Sequence, residues 1–283
     1  MSECRKKSAH SSTESLAQSK DHRLNPQGFA NKLYDDVKKF CEPNTVKWKN
    51  EKPNNRKAYE PTEIEHIANI ITHGFWIVPA VVGALLLFLR SQTNDQMMVA
   101  AIYGSALILL FCVSTAFHCV FYCNKDLILK DVLHRMDRAM IYVFIAGSYF
   151  PWLNLGHTQH PYIICSLKWW IWALAALGII YQQVFHEKYK SLETVFYLLI
   201  SVGPASVVVL CGHEFIGMPE LKIGGLLYLV GVFFFKADGI CPMAHSVWHL
   251  FVVLAASVHY FAVLKHLYSE QYVHDHLNAT ADT

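Results

Sequence analysis

Seven stretches of 13 or more residues in this 283-residue chain contain no Asp, Glu, Lys or Arg. A helix that crosses a bilayer needs about 20 consecutive, mostly apolar residues, because the hydrocarbon core is about 30 Å thick. The uncharged stretches cover residues 66–89, 96–124, 139–167, 169–186, 194–213, 223–235 and 239–264. They predict an all-α integral membrane protein, folded as a seven-transmembrane helix bundle.

Two of these stretches differ in length from a simple span. The third is longer than one helix needs, so we expect its helix to end near Pro151–Trp152 and residues 154–161 to form a loop. The sixth is short, but Lys222 and Lys236 flank it, and their long side chains can reach both interfaces. Pro79 predicts a kink in the first span.

Charged residues are concentrated before the first span. Residues 1–66 hold 13 Lys/Arg and 10 Asp/Glu, whereas residues 67–283 hold 11 and 12. The mixed signs lack the one-sided charge of a nucleic-acid-binding protein, so no nucleic-acid partner is expected. The predicted organisation is a disordered cytosolic tail (1–57), a seven-helix membrane domain (58–267) and a short lumenal or extracellular C-terminal tail (268–283).

The orientation of the bundle follows from Lys and Arg in the short connecting segments. Seven lie on the side of the N-terminus and four on the other, which favours a cytosolic N-terminus and a lumenal or extracellular C-terminus. Four of the seven belong to the loop predicted between the second and third spans, namely Lys125, Lys130, Arg135 and Arg138. Asn278 begins an Asn-Ala-Thr glycosylation sequon on the predicted outer side. Within the tail, Leu33, Tyr34, Val37 and Phe40 have helical spacing, which leaves open a short interfacial helix or a solvated arm.

Ionisable side chains within spans are costly and therefore informative. His73 lies early in the first span, His118 ends the second, Asp137 begins the third, and His245 and His249 lie early in the last. Because successive spans alternate in direction, all five fall within about 10 Å of depth at a rise of 1.5 Å per residue. The sequence predicts that they converge in the cytosolic third of the bundle.

These residue types and spacings indicate a zinc site. His245 and His249 share one helix face, and with His118 they would supply three ligands of a tetrahedral zinc ion, leaving the fourth position for water. Asp137 would hold or deprotonate that water, and Ser114 would bond the water or a developing oxyanion. The alternative is that the histidines are neutral, packed residues hydrogen-bonded between helices.

A second polar stripe lies in the first span, where Glu65, Asn69 and His73 are four residues apart. They lie on one helix face, at the depth of the predicted zinc site. The stripe either supports the metal ligands from behind or simply makes hydrogen bonds between helices, and we favour the second interpretation.

The motifs resemble those of the progestin and adipoQ receptor family, which includes the bacterial hemolysin III-like proteins. They are Ser-x-x-x-His at Ser114–His118, Asp137, and His-x-x-x-His at His245–His249. The monocyte-to-macrophage differentiation factor branch is the one most similar in the following stretches: EHIANIITHGFWIVPA from Glu65, MDRAMIYVFIAGSYFPWLNL from Met136, HEKYK from His186 and FFFKADGI from Phe233. The similarity covers about residues 57–267.

The resemblance implies a seven-helix fold, zinc bound by His118, His245 and His249, and a water held by Asp137 and Ser114. The family is similar to a wider group of membrane hydrolases that includes alkaline ceramidases, which implies hydrolysis of a lipid amide. Other members act as receptors for a secreted protein hormone or for steroids. The branch is tied by resemblance to endomembranes (Golgi, late endosome, lysosome), with the plasma membrane as the alternative.

Two functions therefore stand side by side. The first is a zinc-dependent hydrolase of a membrane lipid or sphingolipid that acts in lipid signalling. The second is a signalling receptor or scaffold with a protein or steroid ligand, in which zinc is structural. Ion transport is disfavoured, because the outer halves of the spans hold only isolated polar groups such as His259. The sequence leaves the oligomeric state unknown.

Overall fold

A computed structural model describes residues 26–40, 47–51, 59–123, 127–156, 160–186, 188–210 and 217–269. Every regular element in these ranges is an α-helix. The helices are α1 (Pro26–Phe40), α2 (Glu63–Gly74), α3 (Ile77–Arg90), α4 (Asn94–Cys123), α5 (Leu127–Leu155), α6 (Pro161–Val184), α7 (Lys190–Leu210), α8 (Met218–Lys236) and α9 (Ala244–Leu267).

Six segments of the described chain are long and apolar enough to cross a membrane. They are α2 with α3, then α4, α6, α7, α8 and α9, with α7 counted from Ser191 to Val209. The short sixth stretch, for which the sequence gave only 13 uncharged residues, forms the 19-residue helix α8. Helix α5 is not among the six, because five charged residues occupy its first half.

The expected boundaries of the third span are wrong at both ends. Helix α5 begins at Leu127, so the charged segment before Asp137 is helical rather than a loop. The helix also continues through Pro151 to Leu155, and Pro151 and Trp152 are buried in the core. Neighbouring helices hold a proline-containing segment in place where an isolated helix would end. Helix α6 starts at Pro161, where the expected loop ends.

The first span is interrupted, as the proline in its sequence predicts. Helix α2 ends at Gly74 and α3 begins at Ile77, with a turn at Phe75–Trp76 between them. Pro79 has no amide hydrogen, and its ring crowds the carbonyl of the residue four positions earlier, which is Phe75. The break therefore lies where the proline removes the helical hydrogen bond.

Helix α4 occupies the centre of the bundle, against α2, α3 and α5, and α9 packs on α2, α5 and α8. Gln96 ties the start of α4 to the end of α9, since its amide donates to the Leu267 carbonyl at 2.8 Å. Its carbonyl oxygen accepts from the Gln92 amide at 2.8 Å, which caps the first turn of α4. We call this end of the bundle the Gln96 end.

The helix in the N-terminal segment packs on the opposite end of the bundle. Of the two interpretations of residues 33–40, the structure has the helix, α1. The Tyr122 hydroxyl donates to the buried carboxylate of Asp36. Lys32 donates to the Tyr122 carbonyl at 2.7 Å. Residues 1–25 of the predicted tail and the Asn278 sequon lie outside the described residues.

Candidate metal centre

Three histidine rings meet at the end of the bundle opposite Gln96. His118 lies in the last turns of α4, and His245 and His249 lie in the first turns of α9. The ring centroids of His118 lie 5.2 Å from those of both His245 and His249, which are themselves 4.6 Å apart. One nitrogen from each ring lies within 4.8 Å of the other two. The structure therefore brings together the three residues that the sequence predicted as metal ligands.

The unpaired nitrogens of this triad fit a metal ion. Both ring nitrogens of His118 and of His245 are buried and have no hydrogen-bond partner among the described residues. Burying such groups without a partner costs free energy, which a coordinated cation offsets. Neutral imidazoles are zinc ligands, and a tetrahedral ion sets three such nitrogens about 3.4 Å apart. Three protein ligands leave one coordination position open, which is typical of catalytic rather than structural zinc sites.

Thr72, which the sequence analysis did not identify, orients one of the three rings. Its hydroxyl oxygen lies 3.0 Å from Nδ1 of His249 and 2.7 Å from the carbonyl of Ala68. The single hydroxyl hydrogen goes to the carbonyl, so the oxygen accepts from a protonated Nδ1. Nε2 of His249 then carries the free lone pair that a metal ion requires. Thr72 lies in an apolar helix and belongs to no motif, so nothing in the sequence indicated this role.

Asp137 and Ser114 lie beside the triad and line the same cavity. The Ser114 hydroxyl oxygen is 2.9 Å from Nδ1 of His73. Ser114 also interacts with the Asp137 carboxylate, which in turn faces His245. A carboxylate and a hydroxyl therefore line the same cavity as the three histidines.

The polar stripe of the first span connects α2 to the helices that carry the triad. The His73 ring stacks on His249 with a centroid distance of 3.6 Å. Asn69 accepts a hydrogen bond from the Ser246 hydroxyl at 2.5 Å. These are hydrogen bonds and ring contacts between helices, and one of them, the stacking of His73, reaches His249 of the triad directly. Together they hold α9 in register with α2.

Glu65 fixes the start of α9. Its carboxylate is buried and accepts from the Tyr59 hydroxyl at 2.7 Å, from the Thr62 amide at 2.9 Å and from the Met243 amide at 3.2 Å. Met243 has a φ of 59°, which is uncommon for a residue other than glycine. One carboxylate thus caps α2 and holds the strained residue that immediately precedes α9.

Tyr59 donates to Glu65 as a neutral phenol. Burial, together with the hydrogen bond to Glu65, raises the pKa of Tyr59 well above its ordinary value. The phenol is therefore protonated at neutral pH and keeps its donor hydrogen. The ring also lies against Gly239, where a Cβ would overlap it. Gly239 has a φ of 71°, so the turn needs glycine for both its conformation and the close approach of Tyr59.

A carboxylate that the sequence analysis did not single out faces His245. An oxygen of Asp238 lies 3.8 Å from Nδ1 of His245. Asp238 belongs to the FFFKADGI segment that supported the family resemblance, but nothing in its spacing assigned it to a ligand. A carboxylate on the Nδ1 side of a histidine favours metal binding through Nε2.

A buried ion pair forms part of the wall next to the site. Nη1 of Arg138 lies 2.8 Å from a carboxylate oxygen of Glu193, and the Tyr197 hydroxyl donates to the same carboxylate at 2.8 Å. The sequence analysis placed Arg138 among the charges that set the orientation of the bundle. The structure instead pairs it with Glu193 across α5 and α7, where both residues line the cavity.

A cavity of about 1200 Å³ extends from the triad into the bundle. Its lining includes His245 and His259, which are fourteen residues, or about 21 Å, apart along α9. Between them the walls are mainly apolar side chains of α5, α7, α8 and α9. Leu226 and Leu229 of α8 and Val202 and Val209 of α7 line the cavity and are also exposed.

Comparisons with known proteins identify relatives for most of the chain. A sequence profile described as haemolysin-III related matches residues 62–260. The chain is 48% identical to monocyte to macrophage differentiation factor of Homo sapiens over 211 residues, which is 74% of this chain and 87% of that protein. It is 32% identical to the hemolysin-3 homolog of Bacillus subtilis, over 71% of this chain and 93% of that protein. It is 25% identical to the adiponectin receptor protein of Drosophila melanogaster, over 71% of this chain and 52% of that protein.

Proposed function

We propose that this chain, which belongs to the haemolysin-III related family and is a multi-pass membrane protein, is a zinc-dependent hydrolase of lipid amides. The observation that carries the proposal is the buried group of His118, His245 and His249 at one end of a large apolar cavity. A zinc ion there would act as a Lewis acid on a carbonyl and increase the acidity of water.

The proposed topology has seven spans, with α5 as the third. Its charged first half lies at the triad end, where Arg138 is neutralised by Glu193, and its second half is apolar. The N-terminus is cytosolic and the C-terminus lumenal or extracellular, because more Lys and Arg residues lie in the short connections on the side of the N-terminus. The triad then lies in the cytosolic third of the bundle. We assign the protein to endomembranes.

The residues around the triad supply the remaining chemistry. Asp137 would accept a proton from water as the general base. The Ser114 hydroxyl bonds the ionised Asp137 carboxylate, and once that carboxylate is protonated its hydrogen would turn to the carbonyl oxygen of the scissile amide as charge develops there. His73, through its contact with Ser114 at 2.9 Å, positions that hydroxyl. The surrounding apolar walls exclude bulk water and strengthen these interactions.

The shape of the cavity favours a lipid substrate, such as a sphingolipid. Its volume exceeds the range of about 300–1,000 Å³ that is usual for small-molecule sites. The exposed apolar residues of α7 and α8 that line it form a side through which an acyl chain would enter from the bilayer. With its acyl chain in the apolar part of the cavity, the lipid would have its polar end at the triad.

The proposal is tested on the purified full-length chain by zinc analysis and a ceramide hydrolysis assay. We expect stoichiometric zinc and release of fatty acid, both of which are lost when His245 and His249 are replaced by Ala. His160→Ala, at an exposed position near the start of α6, is the matched control and should retain both. A native protein without zinc, or undiminished turnover in the double variant, contradicts the proposal.

The alternative function is a receptor or scaffold in which the metal only joins α4 to α9. The observation that favours it is that the ligands come from these two helices, which a metal ion would hold together. The Drosophila relative is named as a receptor for adiponectin. Under this alternative, a protein or steroid ligand replaces the lipid substrate, and loss of zinc lowers stability.

Thr72→Val should lower the affinity for zinc by about 10- to 100-fold, because it removes the oxygen that holds His249 with Nε2 unprotonated. The measurement is competition for zinc with a chelator of known affinity. Thr72→Ser, which keeps the oxygen, should bind zinc like the native chain. Equal affinity in the Val and Ser variants would show that Thr72 does not orient the ligand.

A further inference from the structure

The far part of the cavity contains a second group of buried polar atoms. Both ring nitrogens of His259 and the hydroxyl of Tyr228 are buried and have no hydrogen-bond partner among the described residues. The rings of His259 and Tyr228 lie 5.8 Å apart, and both line the cavity.

This cluster lies within the apolar depth of the bundle. His259 is eight residues from the end of α9, or about 12 Å along its axis. At that depth an unpaired polar group is unfavourable, because no bulk water is available to it. Three such atoms around one cavity therefore indicate that something with hydrogen-bonding capacity occupies it.

The packing on α8 holds the His259 ring in this position. A Cβ at Gly224 would overlap the imidazole, so the glycine provides the space that the ring fills. Tyr228, one turn further along α8, contacts the same ring in an edge-to-face arrangement. The cluster is thus built by α8 and α9 together rather than left over from loose packing.

The chemistry of these atoms favours binding of an uncharged, oxygen-containing group of a ligand, such as a hydroxyl. A neutral imidazole offers one donor and one acceptor, and the phenol can donate or accept, so a lipid hydroxyl could both donate and accept a hydrogen bond here. None of the ion pairs among the described residues includes His259. Lys222 lines the rim of this end, but it is exposed. An ionised group at His259 would therefore be buried without a counter-charge.

We propose that His259 and Tyr228 form a polar subsite that binds a hydroxyl carried on the distal part of an elongated lipid whose other end lies at the triad. The distance along α9 from His249 to His259 is ten residues, or about 15 Å, which sets the separation of the two polar ends. The inference rests on the proposed function only in that the cavity holds a lipid. It adds a preference for acyl chains with a terminal or near-terminal hydroxyl.

The test is a binding assay on the full-length chain in lipid nanodiscs. The probes are straight-chain fatty acids and their ω-hydroxy counterparts, with about ten to sixteen carbons, which displace a labelled fatty acid. At the chain length that reaches His259, we expect the hydroxy acid to bind about tenfold more tightly than its unsubstituted partner. Tyr228→Phe and His259→Leu should each reduce this ratio to below about twofold.

Tyr260→Phe is the matched control, because its hydroxyl donates to the Gly83 carbonyl rather than to the cavity. It should retain the native preference.

Because each variant is judged by the ratio of two affinities, a general loss of folded protein cannot imitate the result. Equal binding of both acids at every length, as expected for a water-filled pocket, overturns this inference alone. A preference that survives in both variants also overturns it. Absence of binding by either acid overturns the lipid cavity as well.

Discussion

Replacing Asp137 by Asn is expected to lower the turnover of a lipid amide by about 10²- to 10⁴-fold, because the amide cannot accept the proton that the carboxylate takes from water. Asp137 is not one of the three histidine ligands, so the zinc content should stay at the native value. The measurements are fatty-acid release under single-turnover conditions and zinc analysis of the same sample.

Asp131→Asn is the matched control for this experiment. Asp131 lies on the same helix but is exposed, where it pairs with Arg135 at 2.7 Å. Its substitution should change turnover by less than about twofold, since surface ion pairs contribute little. If the Asp137 variant keeps native turnover, the carboxylate is not the general base. Loss of zinc in that variant would instead place Asp137 among the groups that retain the metal.

Glu65→Ala should destabilise the protein by about 2–3 kcal/mol, because it leaves one buried and two partly buried donors without their acceptor. These are the Tyr59 hydroxyl and the amides of Thr62 and Met243. For a chain of this size the change corresponds to a Tm that is lower by about 10 °C. Thermal unfolding in detergent, followed by the fluorescence of the intrinsic tryptophans, measures it.

Glu63→Ala provides the comparison, since this acidic residue lies in the same first turn but is exposed. Its Tm should change little. Glu65→Gln should fall between the two, because it keeps one acceptor oxygen and turns the other into a donor. A Glu65→Ala variant as stable as Glu63→Ala would show that the hydrogen bonds to α9 do not contribute to stability.

Periodicity and spacing were sufficient for the parts of this protein that depend on local sequence. Long uncharged stretches predict helices, and the i, i+4 spacing places His245 and His249 on one face of α9. Alternation of the spans then puts His118 at the same depth, and the structure has one nitrogen of each ring within 4.8 Å of the others. These deductions need only the rise of a helix and the thickness of a bilayer.

The helix boundaries around α5 could not be predicted in the same way. Charged residues at 130–138 indicated a loop, but the pairing of Arg138 with Glu193 allows the helix to continue through them. Pro151 indicated an end, but burial of that segment keeps it helical. In both cases a contact with another helix overrides a local preference.

The residues that orient the site depend entirely on tertiary structure. The hydrogen bonds of Thr72 to His249, Glu65 to Met243 and Gln96 to Leu267 join residues more than 170 positions apart. The sequence by itself determined the helical membrane fold and the three histidines that could hold a metal ion, since both follow from residue type and periodicity. Only the tertiary structure decided which polar groups meet between helices, because those contacts depend on the rotation and relative height of each helix in the bundle.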